Sequence, residues 1–130
     1  MEIFLMKILL VDDNVNDASI LTRRLTKKGF NIRAVDNGKD CIETLKNDQE
    51  KTDLILMDMK MPVLDGYETT KILKQDPDLK NIPIIGVSAK AMVDEVKMAK
   101  DAGCDDYISK PINLDSLLSL IDKYQPAKAV

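Results

Sequence analysis

The 130-residue chain contains no histidine and no tryptophan. Without an imidazole, Ser–His and Cys–His nucleophile pairs, HExxH-type zinc sites and imidazole acid–base catalysis are all excluded. Any chemistry must be carried by carboxylates, lysines and hydroxyls. Cysteine is scarce as well. Cys41 and Cys104 stand far apart, with no CxxC spacing for zinc or thiol redox work. A disulfide is allowed in principle, but two thiols in a well-cored domain of this size are more often reduced and structural, which points to the cytosol. Nor is there a charge excess: 19 basic residues stand against 22 acidic ones, a net charge of -3. That near balance argues against a nucleic-acid binder, which needs a basic face to neutralise phosphates, and against a disordered acidic tail protein.

No targeting or membrane segment is expected either. Met1 to Val11 is apolar, but Glu2 sits where a signal peptide wants positive charge and Lys7 breaks the run. Asp12 and Asp13 follow with no small-residue cleavage site, and the run is far too short to span a bilayer. The expectation is a soluble, cytoplasmic protein. Apolar residues make up 45% of the chain, enough for one core at this length. Residues 1–130 therefore read as a single domain, with a core over about 7–124 and a short tail at 125–130.

Short apolar runs alternate with longer amphipathic ones. Ile8-Leu9-Leu10-Val11 is a strand ending abruptly in acid. Val15, Ala18, Leu21 and Leu25 then recur at helical spacing, with Gly29 as a stop. Ile32 to Val35 is a weaker strand, and after Asn37-Gly38 the residues Cys41, Ile42 and Leu45 form a second helix. Leu54-Ile55-Leu56-Met57 is a strand ending in Asp58. After a loop with Pro62, Asp65 and Glu68 read as a helix cap and its partner, and Tyr67, Thr70 and Leu73 share one side of that helix. Pro83 to Val87 is the fourth strand, its proline at the start where a missing N–H is tolerable. Met92, Val96 and Ala99 form a helix stopped near Gly103, and Asp106 to Ser109 is a fifth strand. Asn113 caps a last helix with Leu114, Leu117, Leu118, Ile121 and Tyr124 on its apolar face. This alternation implies right-handed crossovers and a parallel sheet covered on both faces, a doubly wound α/β fold.

In such a sheet, sites form at the carboxyl ends of the strands. Strand 1 ends in Asp12-Asp13, strand 3 in Asp58, strand 4 in Ser88, and strand 5 in Ser109-Lys110-Pro111. Taken singly, each has a bland reading: a loop start, a helix-entry carboxylate, a turn hydroxyl, a solvated lysine. Their joint placement at successive strand ends points to a site. Carboxylates about 4 Å apart repel by about 4 kcal/mol per pair at an effective dielectric of about 20, so the cluster calls for a cation. Oxygen ligands select a hard one, and Mg²⁺ fits because it takes few carboxylates and a phosphate while keeping several waters.

The segments ILLVDDN, LILMDMKMPVLDG, GVSAK and YISKPI resemble the signature blocks of response-regulator receiver domains, in the family's order and spacing from about Lys7 to Tyr124. The resemblance implies a flavodoxin-like (βα)5 fold with strand order 2-1-3-4-5. It makes Asp58 the phosphoryl-accepting aspartate, Asp13 a direct Mg²⁺ ligand, Asp12 an acidic contact through water, and the Lys60 carbonyl a backbone ligand. Ser88 would meet a phosphoryl oxygen, Lys110 would contact the same group, and Tyr107 would turn inward as the state-reporting aromatic. Tyr107 also reads simply as a half-buried strand aromatic with a wet hydroxyl. Pro111 follows Lys110 as in the family, where that bond is commonly cis. Lys60 and Lys90 stand at positions associated with the lifetime of the aspartyl phosphate, where long side chains would obstruct attacking water. They read equally as solvated lysines offsetting the carboxylates.

The implied function is a phosphoaspartate-switched receiver of a two-component system or phosphorelay. Its donor would be a histidine kinase or histidine phosphotransfer protein, and its output a protein partner reading the surface of helix 4, strand 5 and helix 5. It would catalyse only its own phosphorylation and dephosphorylation. Only Gln125 to Val130 follow the last helix, so the expectation is a stand-alone regulator or an excised module, with no nucleic-acid or membrane contact of its own. Three rivals are weighed against it. Aspartate-nucleophile phosphohydrolases want a second Asp two residues after the nucleophile, where Lys60 stands. A flavin-binding module would need a phosphate loop after strand 1, where Asp12 and Asp13 would repel phosphate. A degenerate receiver acting only as a binding platform would not need all of Asp12, Asp13, Asp58, Ser88 and Lys110.

Overall fold

The structure is a computed structural model that describes residues 6–47, 51–61, 64–89 and 93–125. Strands and helices alternate as β1 (Lys7–Val11), α1 (Val15–Lys27), β2 (Asn31–Val35), α2 (Gly38–Asn47), β3 (Leu54–Asp58), α3 (Gly66–Gln75), β4 (Ile84–Ser88), α4 (Val93–Ala102), β5 (Asp106–Ser109) and α5 (Leu114–Lys123). The five strands pair in parallel in the order β2-β1-β3-β4-β5. The doubly wound α/β reading holds, as does the strand order implied by the resemblance.

Side-chain alternation explains why both faces are covered. Ile8 and Leu10, Leu54 and Leu56, and Ile85 and Val87 point to one face, where Leu21 and Leu25 of α1 and Leu117 and Ile121 of α5 close over them. Leu9, Val11, Ile55, Met57 and Ile84 point to the other, against Cys41, Leu45, Leu73 and Ala99 of α2, α3 and α4. Strands buried on both sides must be apolar throughout, which is why the three inner strands stand out in the sequence. At the sheet's edge, β2 leaves Asn31, Arg33 and Ala34 exposed, and its apolar signal is correspondingly weak. Both cysteines are free and buried. Burial pushes the Cys41 thiol up to about 12 and the Cys104 thiol to about 11, so they are inert packing groups.

The helix boundaries follow local chemistry. Side-chain oxygens of Asn14, Asn37, Asp65 and Asn113 each accept from the amide three residues on, satisfying donors that an α-helix start leaves open. Gly29 and Gly103 end α1 and α4 with φ of +98° and +114°.

Two expectations need correction. Val15 shares the helical spacing of Leu21 and Leu25, yet it is 73% exposed. It is the first residue of α1, which turns back from the end of β1, so it lies beyond the strand tops where there is no sheet to cover. The fourth strand runs Ile84–Ser88 rather than Pro83–Val87. Pro83 has no N–H for the ladder and contributes only its carbonyl, which accepts from Ile55 N at 3.0 Å. Pro62, Lys90 and Met92 lie outside the described residues.

Candidate functional site

Strand order reverses beside β1, so β1 and β3 end next to each other at the crevice where α/β sheets place their ligands. The register Val11↔Met57 brings the following residues, Asp12 and Asp58, to the same level. Carboxylate oxygens of Asp12, Asp13 and Asp58 lie within 4.8 Å of one another. Asp13 is exposed, whereas Asp12 and Asp58 are each only 6% exposed. Backbone amides help to hold the two buried carboxylates. Asn14 N donates to Asp12 Oδ1 at 2.9 Å, and Lys60 N donates to Asp58 Oδ1 at 3.2 Å.

A glycine allows the approach. Gly66 opens α3 with its amide on the Met59 carbonyl at 3.0 Å. A Cβ there would fall 2.2 Å from the Asp58 carbonyl oxygen and 2.6 Å from Met59 Cα. Only glycine lets the start of α3 close this tightly on the end of β3.

Lys110 supplies the positive charge. It follows β5 and is tied to β4 by its amide, which donates to the Ser88 carbonyl at 2.6 Å. Its Nζ lies 3.4 Å from Asp12 Oδ2, 3.4 Å from Asp17 Oδ2 and 3.9 Å from Asp58 Oδ2. The Lys110–Pro111 bond is cis, as the resemblance implied. One ammonium does not balance these carboxylates. Burial, opposed by Lys110 and reinforced by Asp12, pushes the Asp58 carboxyl up to about 7. Burial lowers the pKa of Lys110, but Asp58, Asp12 and Asp17 outweigh it and leave the ammonium above its ordinary value.

Excess negative charge on clustered oxygen donors is the environment a hard divalent cation neutralises, so the residues fit Mg²⁺. The Lys60 backbone is drawn in through its amide, as described.

Ser88 and Lys60 stand at neighbouring strand ends, and Tyr107 lies on β5 at the level of Gly86. Ser88 is fully buried at the end of β4, and its Oγ donates to Glu95 Oε2 at 3.3 Å. Lys60 Nζ pairs with the same carboxylate, 3.1 Å from Glu95 Oε1. Tyr107 on β5 is half-buried and packs on the face covered by α2, α3 and α4. Sequence reasoning missed Asp17, Glu95 and Gly66. Asp17 was detectable, because a residue three after the Asn14 cap lies in the first turn of α1 above the site. Glu95 carried no local signal, since only the packing of α4 on the sheet brings it to Ser88. Among the described residues, no helix is long and apolar enough to cross a membrane.

The family model for the response regulator receiver domain matches residues 8–122. The chain belongs to this family. Receiver domains are signalling domains of two-component systems, found in histidine kinases and in response regulators, and not enzymes that turn over an external substrate. The receiver is 40% identical over 124 residues to hybrid signal transduction histidine kinase G of Dictyostelium discoideum, covering 93% of this chain and 4% of that protein. It is 32% identical over 117 residues to the polar-differentiation response regulator DivK of Brucella anthropi, covering 90% of this chain and 94% of that one. It thus spans a small fraction of the hybrid kinase and nearly all of DivK. Among solved structures, the receiver domain of sensor histidine kinase PA1611 from Pseudomonas aeruginosa superposes with a TM-score of 0.84 at 28% identity, covering 93% of this chain and 98% of that one. That structure holds a magnesium ion coordinated in the active site cleft. A chain of the Saccharomyces cerevisiae co-crystal between the histidine phosphotransfer protein Ypd1 and the receiver domain of Ssk1 also superposes, with a TM-score of 0.84 at 27% identity, covering 95% and 91%.

Proposed function

We propose that this receiver accepts a phosphoryl group on Asp58 from a phosphohistidine of a histidine kinase or histidine phosphotransfer protein. The resulting aspartyl phosphate then changes the α4–β5–α5 surface read by a protein partner. One observation carries the reading: three carboxylates gathered at adjacent strand ends, with the Lys110 ammonium 3.9 Å from Asp58. Asp13, Asp58 and the Lys60 carbonyl would hold Mg²⁺ directly and Asp12 through water. When bound, Mg²⁺ supplies positive charge that offsets the carboxylates and the incoming phosphoryl oxygens.

In the transfer step a carboxylate oxygen of Asp58 attacks phosphorus in line. The new O–P bond forms as the P–N bond of the donor breaks, and its electron pair leaves with the donor imidazole. Lys110 lies close enough to follow the charge onto the phosphoryl oxygens, and Ser88 supplies one hydroxyl proton as a hydrogen bond. The aspartate needs no base, because it attacks as the carboxylate. Tyr107 turns inward as the Ser88 loop is drawn to the phosphoryl group. Lys60, and Lys90 beyond the described residues, slow hydrolysis by obstructing water. An unchanged aspartyl-phosphate lifetime in Lys60→Ala would remove that role.

The donor has a place to dock. A groove lined by Ile20, Arg24, Lys110, Pro111 and Ile112 adjoins Asp12. Ile20 on α1 is 49% exposed in its wall, which gives a helical partner an apolar anchor next to Asp12. The complex of Ypd1 with the Ssk1 receiver supports a phosphotransfer protein as one such partner.

The test is intact mass after incubation with acetyl phosphate, with and without Mg²⁺, alongside Asp58→Asn. One added phosphoryl group that requires both Mg²⁺ and Asp58 is expected. No adduct under conditions that label another receiver would leave a binding platform. Donor turnover without an adduct would revive a phosphohydrolase.

A further inference from the structure

Glu95 lies in the first turn of α4 and has no part in the chemistry above. Its two carboxylate oxygens are nevertheless engaged by two groups of the site, Ser88 Oγ at 3.3 Å and Lys60 Nζ at 3.1 Å. These donors come from different strand ends: Ser88 closes β4, and Lys60 is two residues past Asp58. Glu95 therefore ties α4 to the ends of both β3 and β4. The side chain of Glu95 is 18% exposed and that of Lys60 is 62% exposed, so water screens the lysine end of the link. The Ser88 end is dry, because Ser88 is fully buried, and a hydrogen bond to an ionised acceptor there is among the stronger kinds.

We propose that Glu95 is a positioning residue of this site, a carboxylate latch that holds the Ser88 hydroxyl and the Lys60 ammonium until a phosphoryl group on Asp58 takes them from it. The proposal rests on the reading of Asp58 as phosphoryl acceptor and adds what opposes that state. A phosphoryl group brings about -1.5 to -2 of charge and three acceptor oxygens. The Ser88 hydroxyl has one proton to donate, so it cannot serve Glu95 and the phosphoryl group together. Lys60 is likewise drawn toward the greater charge. Two anions thus compete for one proton, and the loser is carried on a helix. When the phosphoryl group wins, Glu95 loses its hydrogen bond and faces new negative charge, which pushes the first turn of α4 away from the site. The latch biases a two-state element, and breaking it must lower the cost of the phosphorylated arrangement.

The experiment compares the wild-type chain with Glu95→Ala, Glu95→Gln, Ser88→Ala and the Ser88→Ala/Glu95→Ala double variant. Two quantities are read with Mg²⁺ present: the initial rate of labelling by acetyl phosphate, by intact mass, and the midpoint of beryllofluoride binding, by amide NMR shifts. Glu95→Ala is expected to label faster and bind beryllofluoride more tightly by about five-fold or more, the lower end of typical coupling between sites. Glu95→Gln keeps an acceptor for Ser88 but loses the charge, so it should fall between wild type and alanine. In the Ser88→Ala background the Glu95→Ala gain should shrink, whereas a merely structural role would move both backgrounds alike. Thermal melts establish that each variant folds, and the glutamine variant carries the test if the alanine variant does not. No gain in the folded variants, or a gain undiminished without the Ser88 hydroxyl, overturns the latch. A wild type that labels while the Glu95 variants gain nothing removes the latch alone. A folded wild type that neither labels nor binds beryllofluoride overturns the acceptor reading and the latch with it.

Discussion

Asp58 is strained electrostatically rather than sterically. It is 6% exposed, its neighbour Asp12 carries the same charge, and Lys110 only partly compensates. The unfolded chain releases this proton near the ordinary value of 3.8 and the folded chain near 7. Between those values the unfolded state holds fewer protons, so the folded state loses stability as pH rises, and the loss is complete above about 7. Asn cannot ionise. Asp58→Asn should therefore be more stable than wild type by about 1 kcal/mol or more at pH 8 without divalent cations, with the gain vanishing toward pH 4. Urea unfolding at the two pH values measures it, and an equal gain at both would contradict the charge argument. Asp12, Asp13, Asp58, Ser88 and Lys110 were all legible as candidates, because each stands where an apolar run stops. Asp17 was readable only through its place in the first turn after Asn14, whereas Glu95 sits inside a helix, where a carboxylate is ordinary and nothing local distinguishes it from a solvated charge.

At the scale of elements, the connection from β3 to α3 positions the carboxylate. Gly66→Ala would push a methyl into the Asp58 carbonyl and Met59 Cα, which are backbone atoms with no rotamer to yield. The expected cost is about 2 kcal/mol in urea unfolding, together with slower acetyl phosphate labelling, because relief requires moving the end of β3. Wild-type stability and labelling in that variant would mean that the connection gives more easily than its contacts imply. The sequence identified the elements unevenly, for a physical reason. β1, β3 and β4 are covered on both faces and must be apolar, while β2 has an exposed edge and tolerates Asn31 and Arg33. In α1 the periodicity that names Leu21 and Leu25 as core also names Val15, although the sheet ends before reaching it. Helical spacing reports which face a residue occupies, not whether anything lies opposite.

For the molecule as a whole, cation binding and folding are linked, because the carboxylates converge only in the folded chain. If Mg²⁺ binds here, stability should rise by about 1.4 kcal/mol for each tenfold increase in free Mg²⁺ above its dissociation constant. Asp13→Asn is exposed enough to leave the fold intact and should flatten that dependence. Thermal unfolding across a Mg²⁺ series checks it, and an unaltered slope in the variant would take Asp13 out of the ligand set. The order in which strands follow one another along the chain, their apolar runs and the acid, hydroxyl or lysine at each end are properties of the sequence, since they depend only on neighbours in the chain. Distances between strand ends are not. Asp12 and Lys110 are 98 positions apart, yet lie 3.4 Å from each other because β1, β3, β4 and β5 pair side by side. The raised pKa of Asp58, the crowding at Gly66 and the hold of Glu95 on Ser88 arise in the same way. Each is a through-space interaction between residues that only the packed sheet and helices bring together.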